Sequence, residues 1–248
     1  MANADPNNAR TGGGEPEGSV ASGSAFGFSD SGFSGAGFSG AARDAVYAAI
    51  YARRDVRNFL ADEVPDDVLR RILDAANQAP SVGLSQPWEF ILIRSEETRR
   101  EVKRLHDDEK LRQSRRFEDA ERRRAYLETR LEGILDSPVN ICVTCDRSGG
   151  EEPVLGKDSV PDTDLYSVCL AVQNLWLAAR AEGVGACWVS VIRNPELKSI
   201  LNIPGEVLPV AYLCLGYPAG GFPERPLLQT AGWREQRSLS SMVRREGW

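Results

Sequence analysis

Residues 164–182 place Leu165, Val168, Cys169, Val172, Leu175, Trp176 and Ala179 on one broad helical stripe, with Gly183 where a C-terminal cap belongs. So wide an apolar face predicts a central helix, and the rest of the chain must supply its cover. Residues 42–53 and 65–79 read as two further amphipathic helices, the first through Val46, Ala49 and Ile50, the second through Val68, Leu69, Ile72, Leu73 and Ala76. Short apolar runs at 88–93, 139–144, 186–192 and 207–215 read as buried strands. Between the last two, Asn194-Pro195-Glu196 combines a cap, a first-turn proline and an acid, which starts a short helix. The Arg- and Glu-rich stretch from 96 to about 135 reads as helical and solvated. The order is mixed α and β, with helices dominating.

Composition changes abruptly near Ala42. Residues 1–42 hold ten of the 23 glycines, repeat Gly-Phe-Ser and have almost no branched aliphatics, so they are expected to be a disordered tail ahead of one domain at 43–248. The tail contains a decoy, since Gly35-Ala36-Gly37-Phe38-Ser39-Gly40 matches a dinucleotide-binding pattern. That pattern cradles a pyrophosphate only between a strand and the helix it opens, and no strand-like run precedes Gly35. Residues 150–157 imitate a phosphate loop but have the wrong glycine spacing, and Asp158 follows Lys157 where Ser or Thr is needed.

A net charge of −6 over 248 residues argues against a nucleic-acid partner. The single histidine, His106, excludes a multi-histidine metal site, so no metal is expected, and its charged neighbours suggest a solvated side chain. No uncharged window is long enough to span a bilayer and no secretory signal is visible, so a cytoplasmic protein without membrane contact is expected. Five cysteines, an odd count, fit reduced thiols better than a disulfide framework. Cys142 and Cys145 form a lone C-x-x-C, but a strand sends residues three apart to opposite faces. Buried packing is the expected role for both, and for Cys169, Cys187 and Cys214.

The chemistry-bearing segment is Arg53-Arg54-Asp55-Val56-Arg57, three guanidinium groups at the end of the first helix. Two or three arginines match a phosphate dianion in charge and in hydrogen-bond geometry, although from these residues alone a solvated basic patch at a helix end is the better reading. Nearby, Ala79-Pro80-Ser81-Val82-Gly83 ends the second helix in a turn, and Gln86-Pro87-Trp88 enters a strand. Backbone donors, a hydroxyl and an amide around such a turn can read the heteroatoms of a flavin.

These segments, with Cys145-Asp146-Arg147, Asp164-Leu165-Tyr166-Ser167, the run 171–179 and Trp188-Val189-Ser190, resemble the nitroreductase superfamily. Within it the chain is most similar to the flavin-fragmenting branch, the 5,6-dimethylbenzimidazole synthases, and the likeness covers everything but the tail. The resemblance implies an α+β fold with a central, mostly antiparallel sheet wrapped by helices, in a homodimer with FMN at the subunit interface. The FMN phosphate would sit on Arg53, Arg54 and Arg57, helped by Arg234, with Asp55 and Val56 in the same cofactor-binding segment. Ser81 and Gln86 would lie near the cofactor, and Ser190 near the reactive edge of the ring. The implied reaction consumes its flavin: reduced FMN, delivered by a separate flavin reductase, and O2 yield 5,6-dimethylbenzimidazole, the lower ligand of cobalamin, and erythrose 4-phosphate. An ordinary NAD(P)H-dependent nitro or flavin reductase, or a non-catalytic flavin-binding protein, is the alternative.

Asp55 bears on that choice, because the resemblance implies a serine there in ordinary nitroreductases. A carboxylate at Asp55 can accept or shuttle protons, and the Ser190 hydroxyl can hydrogen-bond charge that develops on the ring, so these two are the candidate catalytic residues. The plain alternative for Asp55 is an ion pair with Arg53 or Arg57. Gly83-Leu84-Ser85, Cys187 before Trp188 and residues 148–152 depart from the branch's usual pattern.

Overall fold

The computed structural model describes residues 37–148 and 153–248. The chain divides into an N-terminal unit ending at Arg43 and a second unit, Asp44–Trp248. The expected tail falls, up to residue 36, outside the described residues, as do the first glycine of the decoy and Gly150 of the phosphate-loop imitation.

Strand β2 (Val139–Cys145) organises the second unit, since all of its residues are buried and both of its faces therefore need cover. It pairs antiparallel with β1 (Trp88–Ile93) on one side and with β4 (Leu208–Gly216) on the other, and β3 (Gly185–Trp188) completes the order β1-β2-β4-β3. The two-residue period of a strand sorts the side chains into two cores. Val139, Ile141, Val143, Ala211, Leu213 and Leu215 face one, whereas Cys142, Tyr212, Cys214 and Cys187 face the other.

Helices α2 (Asp66–Asn77) and α5 (Thr163–Ala181) cover the first core with Leu69, Ile72 and Ala76 from one and Val168, Val172 and Leu175 from the other. The second core is closed by α3 (Glu96–Ser114), through Val102 and Leu105, and by α6 (Asn194–Leu201), through Leu197. Each fully buried Leu or Ile contributes about 2 kcal/mol of transfer free energy, so the sheet faces carry most of the fold. The expected α+β architecture with a central α5 is what the chain adopts.

Four expectations need correction. The stretch from 96 to about 135 is two helices, because Asp119 accepts a hydrogen bond from the Arg122 N–H at 2.6 Å and so caps a new helix, α4 (Ala120–Glu128). His106 is 1% exposed rather than solvated, since it falls on the same face of α3 as Val102 and Leu105. Burial depresses its pKa against the pull of Asp107. Cys169 is exposed, because it lies on the flank of α5 that faces away from the sheet. Strand β3 stops at Trp188, and Val189 continues only as a single hydrogen bond to the Tyr212 carbonyl. Cys142 and Cys145 do point into opposite cores, and burial pushes their thiols up to about 12 and about 11.

The free edge of β3 holds the segment after α1 (Gly40–Ala52). Asp55 forms a parallel bridge with Ala186, and the Val56 N–H donates to the Ala186 carbonyl at 3.0 Å. Phe59 forms an antiparallel bridge with Pro218. Gly185 makes this approach possible, because a Cβ there would meet Val56 at 2.7 Å.

Candidate active site

The arginine segment leaves α1 and runs along β3, which fixes its backbone before any ligand arrives. Arg57 is 13% exposed in its side chain, its Nη2 lies 3.5 Å from Asp55 Oδ2, and its buried Nε has no hydrogen-bond partner. Arg53 stacks over the Trp176 ring, 4.8 Å from its centroid, and makes no ion pair among the described residues. Arg54 is tied down differently: Nη1 donates to the carbonyls of Tyr51 and Arg53 and Nε to that of Glu224. Arg53 and Arg57 are thus the better placed of the three to take an anion, and Asp55 is the carboxylate between them. The ion pair with Arg57 matches the plain reading of Asp55, and at this length and exposure it is worth about 0–1 kcal/mol.

A second group forms around the turn after α2. The Gln86 N–H donates to Ser81 Oγ at 3.0 Å, and the Val82 N–H to Ser167 Oγ at 3.1 Å. Gly83, Leu84 and Gln86 all have positive φ, an unusual concentration of left-handed backbone for a turn that includes two non-glycine residues. The Gln86 side chain donates to the Asn77 carbonyl, and Trp88 Nε1 donates to Asn77 Oδ1 at 3.0 Å. This turn borders a cavity of about 230 Å³ whose lining includes Ser85, Gln86, Glu89, Asp146, Lys157 and Asp164. Ser167 and Trp176 both lie on α5, so the turn and the arginine segment are separated by about 13 Å of helix axis.

Ser190 is exposed and lines a different cavity, of about 210 Å³, with Trp188, Asn194 and Tyr212. Arg234 is exposed. Its neighbour Trp233 is packed on Phe117 and Tyr126 beside α4, under the Arg122 guanidinium. One chain therefore gathers Arg53, Asp55 and Arg57 on one segment and Ser81 and Gln86 at one turn, puts Ser190 on a separate cavity, and sets Arg234 beside the Trp233 cluster at α4.

Residues outside the sequence-level candidates complete the picture. Arg147 Nε lies 3.0 Å from Asp164 Oδ2, so the two stretches Cys145-Asp146-Arg147 and Asp164-Leu165-Tyr166-Ser167 meet in an ion pair. Lys157 joins the same carboxylate at 3.1 Å. No periodicity could have revealed that contact. Asn77 and Trp176 were equally silent, since each reads as an ordinary helix residue.

A model of the nitroreductase family matches residues 50–217. The chain belongs to the nitroreductase family. Among curated members, a 5,6-dimethylbenzimidazole synthase of Rhodospirillum rubrum is 39% identical over 79% of this chain and 92% of its own. A second such synthase, from Rhodobacter capsulatus, is 35% identical over 78% of this chain and 92% of its own. Among solved structures of this fold, an iodotyrosine deiodinase bound to FMN and 3-iodo-L-tyrosine superposes with a TM-score of 0.65 at 22% identity, covering 82% of this chain and all of that one.

Proposed function

We propose that this nitroreductase-family chain is a 5,6-dimethylbenzimidazole synthase that consumes reduced FMN and O2. The observation that carries the reading is the 39% identity with a curated synthase across 92% of that protein. The arginine segment fits the proposed flavin, because the buried Arg57 Nε is a donor without an acceptor and Arg53 has no carboxylate partner among the described residues. A phosphate supplies acceptors for both. Bound reduced FMN supplies the electrons that O2 takes up and the carbon atoms of the benzimidazole.

The chain's own residues then have separable tasks. Arg53 and Arg57 hold the phosphate, while Arg54, anchored on three carbonyls, fixes the backbone from which they project. Asp55 takes and returns protons at its carboxylate oxygens. Ser81 orders the turn through the Gln86 amide, which brings Gln86 to the cavity. Ser190 offers a hydroxyl donor toward the ring.

The complete site is proposed to lie between two copies of the chain. A cavity of about 230 Å³ falls below the roughly 300 Å³ at which small-molecule sites begin. Meanwhile α1 exposes Val46, Tyr47, Ile50 and Tyr51, and α5 exposes Tyr166, Cys169 and Leu170, apolar faces of the kind a second copy covers. Ser190 and Arg234 would reach the flavin from such an arrangement. We further propose residues 43–248 as the FMN-binding domain, a separate flavin reductase as the source of reduced FMN, and the cytoplasm as the location. No helix among the described residues is long and apolar enough to cross a membrane.

Aerobic incubation of the chain with reduced FMN, followed by chromatography, tests the proposal directly. The expected outcome is 5,6-dimethylbenzimidazole with loss of flavin. Steady NAD(P)H oxidation with FMN intact would establish a reductase instead, and flavin binding with neither activity a non-catalytic protein. Arg57→Ala should weaken FMN binding by about 1.5–3 kcal/mol, the worth of a hydrogen bond to a charged group, and equilibrium titration of the apoprotein measures it. An unchanged affinity would remove Arg57 from the phosphate site.

A further inference from the structure

Asp164, in the first turn of α5, is 2% exposed and has both carboxylate oxygens occupied. Oδ1 accepts from the Leu165 N–H at 2.8 Å, while Oδ2 lies 3.0 Å from Arg147 Nε and 3.1 Å from Lys157 Nζ. Burial alone would raise its pKa, but the Leu165 amide, Lys157 and Arg147 together override that effect and leave it below the ordinary carboxylate value. An oxygen pair so fully engaged is a poor proton acceptor. Its geometric consequence is larger than its chemistry.

Lys157 and Asp164 line the cavity beside Gln86, and Arg147 lies between two residues that also line it, Asp146 and Ser148. Arg147 sits in the segment that leaves β2, and it also donates from Nη2 to the Pro161 carbonyl at 2.8 Å and to Asp162 at 3.0 Å. Lys157 sits in the segment that precedes α5 and donates to the Arg147 carbonyl at 2.6 Å. The third wall, the turn at 82–86, is hung from the same helix end, because Val82 donates to Ser167 Oγ. It also abuts the second wall: a Cβ on Gly83 would lie 2.9 Å from both Leu155 N and Val154 Cγ1. Three chain segments are therefore held against the first turns of α5, and two of them, around Arg147 and Lys157, meet at a single buried carboxylate.

We infer that Asp164 is a positioning residue, which acts through Arg147 and Lys157 to hold the walls of the flavin cavity at the spacing that the bound ring requires. The inference rests on the reading of this chain as an FMN-consuming synthase whose flavin, bound between two copies, extends from the arginine segment to that cavity. With the carboxylate charge removed, Arg147 and Lys157 lose their common anchor and the two segments loosen, tied to each other only by the Lys157 bond to the Arg147 carbonyl. The flavin is then held less firmly and water reaches it, so that reduced FMN passes its two electrons to O2, giving oxidised FMN and hydrogen peroxide in place of the benzimidazole.

The test uses the full chain carrying Asp164→Asn, which keeps the side-chain shape but removes the charge. Three quantities are measured: the rate of FMN release, the 5,6-dimethylbenzimidazole formed per O2 consumed at saturating reduced FMN, and the melting temperature. FMN release should accelerate about tenfold, and product per O2 should fall severalfold, at temperatures well below melting. A residue that only stabilises the fold would lower the melting temperature and leave the other two unchanged, and that result overturns the inference. If the variant does not fold, Lys157→Met removes one of the two cations and should shift both readouts in the same direction by less; no shift there also overturns it. A wild-type chain that binds FMN without making product defeats the proposed function alone, because the release rate still judges Asp164. A wild-type chain that binds no FMN defeats both.

Discussion

Replacing Asp55 by asparagine is expected to leave FMN bound and to abolish product formation, by on the order of 10²–10⁴-fold, the usual contribution of a positioned acid or base. The amide preserves shape and keeps an oxygen facing Arg57, but it cannot take a proton at neutral pH. Stability should change little. The Arg57–Asp55 pair is 3.5 Å long and Asp55 is 37% exposed in its side chain, which places the pair in the class worth about 0–1 kcal/mol. The backbone of Asp55 is meanwhile held by its bridge to Ala186, a contact that the side-chain change does not touch. Chemistry should therefore fail before binding does. Single-turnover assays of reduced FMN with O2, beside a flavin titration and a thermal melt, separate the possibilities. A parallel fall in melting temperature and flavin affinity would make Asp55 a structural partner of the arginines, and wild-type turnover would remove it from the mechanism.

Why Asp55 can be tested this way depends on structure that the residue pattern did not contain. Helical and strand periods identified α2, α5 and all four strands, because these elements bury continuous stripes against one sheet and their apolar spacing records it. The same logic failed where burial is decided by a neighbour. His106 sits in a run of charges, yet the helix turns its ring inward beside Val102 and Leu105 while Asp107 and Asp108 turn outward. Cys169 belongs to the apolar stripe of α5 but lies beyond the sheet's reach, on the face proposed for a second copy. The arginine segment could be recognised by type, as an anion-binding cluster, but its docking on β3 joins residues remote in sequence through one bridge and one backbone hydrogen bond. Long-range placement of this kind leaves no period to read. The Asp164 cage illustrates the same limit, since its members are ordinary charged residues until the fold brings them to one point.

Gly185→Ala should damage both stability and flavin binding, although the residue touches no proposed ligand. Its backbone is not among those with positive φ, so alanine suffers no conformational penalty and the cost is spatial alone. The added methyl would stand 2.7 Å from Val56 Cβ and Cγ2 and 2.9 Å from Cγ1. Val56 cannot yield by rotation, because it is 2% exposed and a β-branched side chain has few rotamers to offer. The chain at Val56 must lift away from β3, which breaks the bridge to Ala186 and carries Asp55 and Arg57 out of register. Overpacking of this kind costs about 1–3 kcal/mol. At about 2–4 °C per kcal/mol for a chain of this size, the melting temperature should fall by several degrees. FMN affinity should drop at least about tenfold, since the phosphate ligands move with the segment. Gly205→Ala is the matched control, because a Cβ at that glycine meets open space and its backbone is likewise unstrained. Equal melting temperatures and equal flavin affinities for the two variants would show that Val56 gives way freely, and that the arginine segment owes its position to some contact other than the edge of β3.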